Sequence, residues 1–128
     1  MLLKPDILNG PLRSCGYKRD LLRADFHFGE NLTVPIVGFA QTPTDSRSAC
    51  VAVLSKSTEP RKSVEACRAL GAPLVFVCFE DSIQWWKQGA ESAEWIESIP
   101  ARNISQFFNS HRNDFSPEAI YRAKVFAR

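Results

Sequence analysis

Apolar and polar residues alternate in "LLRADFHFG", residues 21–29, with Leu22, Ala24, Phe26 and Phe28 on one side and Arg23, Asp25 and His27 on the other. A repeat of two predicts a strand with one face in water. After the turn at Gly29-Glu30-Asn31, "TVPIVGFAQ" predicts a second strand, and "TPTDSRS" is a polar connector rich in turn formers. "ACVAVL", residues 49–54, is apolar at every position and predicts a strand covered on both faces. Pro60 then suits a first helical turn, Val64, Cys67 and Leu70 recur at helical spacing, and Gly71 stops the helix. "APLVFVCF" is a fourth, fully apolar strand, so strands three and four and the helix between them form a βαβ unit with a right-handed crossover and parallel strands. "EDS" turns the chain into "IQWW", a fifth strand that pairs back as a hairpin.

The two ends read as helical. Residues 6–17, "DILNGPLRSCGY", predict a short helix interrupted at Gly10-Pro11. From residue 90 the pattern predicts helix in "AEWIESI", halted by Pro100, then in "NISQFFNSH", where Ile104, Phe107 and Phe108 share a side. In "FSPEAIYRAKVFAR", Ser116 caps a last helix, Pro117 takes its first turn and Glu118 suits its N-terminus. That helix reaches the end without a cap, which predicts the N-terminal part of a longer protein. The expected architecture is a single α/β domain over residues 1–128, with a mixed central sheet of four or five strands, a βαβ crossover and C-terminal helices.

Composition changes this picture little. The chain has 128 residues, 45% of them hydrophobic and 23% charged, enough for one core and unlike a disordered chain. A net charge of +2 implies nothing about nucleic acid until the charges are placed. No signal peptide or membrane-length apolar run occurs, which predicts a cytoplasmic protein without a membrane partner. Cys15, Cys50, Cys67 and Cys78 are far apart and read as small buried hydrophobes. Their spacing, with the isolated His27 and His111, does not fit a zinc site. There is no glycine-rich phosphate loop, no G-x-S-x-G and no H-E-x-x-H.

The order helix, three strands, helix, strand, strand resembles the restriction-endonuclease-like fold. Residues 12–88 resemble the N-terminal nuclease-type domain of type I restriction subunits, with "CVAVLSK", the helix 60–70, "GAPLVFVCF" and "SIQWW" as the counterparts of its strands and helix. "FFNSHRNDFSPEAIYRAK" is similar to the leading region of large prokaryotic DNA-methylase and restriction-modification proteins. In such nucleases the third strand ends in Glu-x-Lys, and its glutamate and an acid on the preceding strand hold Mg²⁺, which activates water for phosphodiester cleavage. Lys56 matches the lysine. Leu54 stands at the glutamate position, and Val37–Phe39, at the other acid's position, carry no carboxylate.

The resemblance therefore implies a non-catalytic, nuclease-like DNA-binding module of a restriction-modification or defence protein, with no metal or other cofactor. Its implied partners are DNA and the other domains or subunits of that complex. The expected DNA-binding residues are Lys56, Arg61, Lys62 and Arg68, with Lys18 and Arg19 near Arg23; Arg122, Lys124 and Arg128 form a further basic group. One alternative is an active Mg²⁺ nuclease using relocated carboxylates, with Asp25, Asp45 and Lys56 as catalytic candidates and Glu59 and Glu65 close by. A second alternative is a docking domain that uses Trp85, Trp86 or the last helix. In a strand the two tryptophans point to opposite faces.

Overall fold

A computed structural model describes residues 2–29, 31–41, 48–89 and 91–126. Strands β1 (Leu22–Phe28), β2 (Leu32–Phe39), β3 (Ala49–Leu54), β4 (Leu74–Cys78), β5 (Ser82–Gln88) and β6 (Ala93–Pro100) form one sheet in chain order. Every neighbouring pair is antiparallel except β3 and β4, which are parallel. Helix α2 (Pro60–Ala66), extended by a 3₁₀ turn at Arg68–Leu70, makes the crossover between those two. The expected βαβ unit and β4–β5 hairpin are therefore present. Gly71 ends the crossover in the left-handed conformation, at φ 83°, which a side chain would strain.

Both sheet faces are buried over β3 and β4, where the burial is complete. One face carries Cys50, Val51, Val53, Leu74, Phe76 and Ile83 beneath Leu8 and Leu12 of the N-terminal segment, and beneath Ile104, Phe108 and Phe115 nearer the C-terminus. Three further helices form that layer: α1 (Asn9–Ser14), preceded by a 3₁₀ turn at Pro5–Leu8; α3 (Ile104–Ser110); and α4 (Pro117–Phe126). Ser116 caps α4 as expected, its hydroxyl accepting from the Ala119 N–H at 3.2 Å. The other face carries Val37, Phe39, Ala52, Leu54, Val75, Val77 and Trp86 beneath Val64, Cys67 and Leu70.

The structure corrects three local expectations. The sheet has six strands, not four or five, because residues 93–100 form β6 rather than a helix. Trp86 pairs with Trp95 but Trp85 pairs with Glu97, so Ile96 is an extra residue in a bulge. The bulge places Ala93 on the α2 face and Ile99 on the α1 face. Apolar Trp95, Ile96 and Ile99 thereby acquire a helix-like spacing in a strand.

The predicted break at Gly10-Pro11 is also absent, since α1 runs through both residues. Pro11 lies in the first turn, where its missing N–H has no helical partner to lose.

The expected single side of β1 divides at Asp25. Leu22 packs on the α1 face, whereas Phe26 and Phe28 pack on the α2 face. Asp25 has φ 49° and sits across from Pro35, where the ladder skips a pair. A proline cannot donate there, and the left-handed residue rotates the ribbon.

Candidate nucleic-acid interface

Lys56 emerges just beyond β3. Leu54, at the position where the nuclease pattern has its glutamate, is 6% exposed and belongs to the apolar layer under α2, as do Val37 and Phe39. The space that would hold metal ligands is filled with hydrocarbon. The Lys56 ammonium donates to Glu80 Oε1 at 2.8 Å, across the end of the sheet. This contact, foremost its hydrogen bond, holds the Glu80 carboxyl below its ordinary pKa.

Of the candidate carboxylates, Asp25 is exposed on edge strand β1, two strands from β3, a lateral distance of about 10 Å at normal strand spacing. Asp45 lies outside the described residues. Glu59 precedes α2 and pairs with Lys62 at 3.1 Å. Among the described residues no group of three or more His, Cys, Asp or Glu is placed to hold a metal ion.

The cations of the crossover are largely engaged by the protein itself. Arg61 stacks its guanidinium 5.2 Å from the Trp86 ring centre and donates to the Ala93 carbonyl. Arg68 donates to the Gly89 carbonyl at 2.7 Å. Together they tie α2 to the β5–β6 hairpin, and Gln88 reinforces the join by donating to the Val64 carbonyl. Lys124 likewise donates to the Ala49 carbonyl at 2.8 Å, fastening α4 to β3. Arg122 is exposed, and Arg128 lies outside the described residues.

A different set of cations is left to solvent. Arg13 on α1, Lys18 and Arg19 before β1, and Arg23 on β1 are all exposed. Among the described residues none of their side chains has a hydrogen bond or ion pair. Arg13 and Arg19 border one cleft of about 250 Å³, together with Asn9, Leu22, Ala24 and Ile36; Arg23 meets it between Leu22 and Ala24, but it pairs with Val37 and its side chain points to the α2 face. Asp20 is an exposed acid within the same stretch. This cleft is on the α1 face of the sheet, whereas α2 covers the opposite one. The two basic groups expected from sequence thus lie on different faces.

Arg13 was not legible as part of this group, because its approach to Arg19 depends on where α1 packs on the sheet. Trp85 and Trp86 do point to opposite faces, each packed against an apolar layer. Trp95 is the exposed tryptophan, half accessible at 50%, and the helical reading of its segment hid it.

No protein-family model, curated protein or solved structure matches the chain. Among the described residues, no helix is long and apolar enough to cross a membrane.

Proposed function

We propose that the chain is a non-catalytic, nuclease-like module that binds the phosphate backbone of DNA through Arg13, Lys18 and Arg19. The observation that carries this reading is that Arg13 and Arg19 border one cleft, with Lys18 next to Arg19 in the chain, and that none of the three has an ion pair among the described residues. Keeping like charges adjacent has a cost that a polyanion relieves, and arginine's fork of donors suits phosphate oxygens. The order helix, three strands, helix, strand, strand, realised in α1, β1–β3, α2, β4 and β5, is the order on which the restriction-endonuclease-like resemblance rests. That resemblance supplies the context, a larger restriction-modification or defence protein. In this reading the contact surface moves from Lys56 and α2 to the α1–β1 side.

Fluorescence anisotropy on labelled duplex DNA, read across a salt titration with Mg²⁺ present, tests the proposal. With roughly three phosphates neutralised, log K falls against log salt with a slope of about −2.5 to −3, a loss on the order of fortyfold between 50 and 200 mM. The recovered DNA is uncut. Absence of binding at about 50 mM salt contradicts the reading, and metal-dependent cuts that Asp25→Ala abolishes replace it with the nuclease.

One observation favours a second reading, a protein-docking domain. Trp95 stands half exposed on edge strand β6 beside Arg61, above an open groove, and such a tryptophan can anchor a partner. Salt-independent behaviour with no DNA affinity belongs to this reading.

A further inference from the structure

The cleft among the free arginines has a feature that backbone contact does not require. Phosphate binding needs only a row of cations, yet here Arg13 and Arg19 border a concavity with apolar walls. Ile36, 4% exposed, forms its depth, and Leu22 and Ala24 flank it on β1. Asn9 contributes an exposed amide at the mouth. The cleft exists because the ribbon turns at Asp25 and Pro35, so that Ala24 is the last β1 residue on this face and Phe26 leaves for the other. Helix α1 ends at Ser14 and leaves Ala24 exposed.

We propose that this cleft takes the base of one unpaired nucleotide, while the surrounding arginines hold the phosphates on either side of it. The inference rests on the phosphate-binding reading and adds the class of DNA preferred, namely DNA with a single-stranded end or gap. The scale fits. A cleft of about 250 Å³ falls just below the roughly 300–1,000 Å³ of pockets for drug-sized ligands, which leaves room for one flat ring system. The walls fit as well: apolar side chains take a base face, guanidinium groups stack on its rim, and an amide pairs with a base edge. A base inside a duplex is stacked and paired and cannot enter, whereas an unpaired one is free to swing in.

Anisotropy on two probes tests this: a blunt labelled duplex, and the same duplex with a short unpaired tail. The tailed probe binds about tenfold more tightly, in line with the gain from one stacked base. Ala24→Trp, a substitution on an exposed strand position that tolerates aromatics, fills the cleft and removes that difference. Equal wild-type affinity for the two probes overturns the base cleft and leaves backbone binding standing. A tail preference that survives Ala24→Trp overturns this cleft as its site. No wild-type binding to either probe at low salt overturns both readings together.

Discussion

Held 2.8 Å from Glu80, the Lys56 ammonium must give up an ion pair before it can meet a phosphate, whereas Arg19 gives up only water. Both residues are exposed, so the difference lies in their neighbours. The lowered Glu80 pKa means that Lys56 favours the ionised carboxylate. The pair's contribution is present above glutamate's ordinary pKa and is lost as pH falls through the lowered one. Lys56→Ala is therefore expected to raise the Glu80 titration midpoint toward its ordinary value, read by NMR of the carboxyl carbon. It should leave DNA affinity within about twofold, since no phosphate contact is removed. An unmoved Glu80 midpoint would show that the pair does not form in solution.

At the scale of elements, β6 shows how a strand can carry a helical signature. Ile96 is the extra residue in its ladder with β5, and the pairs on either side of it, Trp95 with Trp86 and Glu97 with Trp85, are consecutive on β5. Deleting Ile96 joins those pairs without disturbing register and should be tolerated, at a cost of about 1–2 kcal/mol for the lost half-buried side chain. Deleting Ser98 instead shifts Ile99, now paired with Ile83 in the core, to the opposite face. That should cost at least about 2–3 kcal/mol. Urea unfolding of the two deletions side by side makes the comparison, and equal losses would speak against the bulge. The same device explains what was legible. β3, β4 and the crossover helix could be read from sequence because burial is complete and periodicity unbroken. β1 could be read only in part, and the segment of β6 reads as a helix, because Asp25 and Ile96 each exchange the faces partway along.

The whole molecule is a sheet with unequal coverings, α1, α3 and α4 on one face and α2 on the other, and its chemistry follows from what those coverings enclose. All four cysteines are free and buried. Burial pushes the thiols of Cys50 and Cys67 up to about 11 and that of Cys78 up to about 12. Native protein near pH 8 should thus react slowly with a thiol reagent, and unfolded protein should react at all four positions. Because the raised thiols keep their protons where an unfolded chain loses them, stability should fall as pH rises above about 8.5. Urea unfolding across that range checks the direction. Such thiols could be anticipated from their apolar neighbours in sequence. The convergence of Arg13 with Arg19 could not, since it is set by tertiary placement alone.

The central claim is that DNA meets the α1–β1 face and not the α2 face. Arg13→Glu and Lys62→Glu alter net charge equally while placing the change on opposite faces, on α1 and on α2, so duplex affinity measured across a salt titration for the two variants is the most direct test. The account predicts that Arg13→Glu weakens binding at least about tenfold and flattens the salt slope by about one, with Lys62→Glu within about twofold of wild type. Equal losses in both variants, or a larger loss for Lys62→Glu, would contradict it.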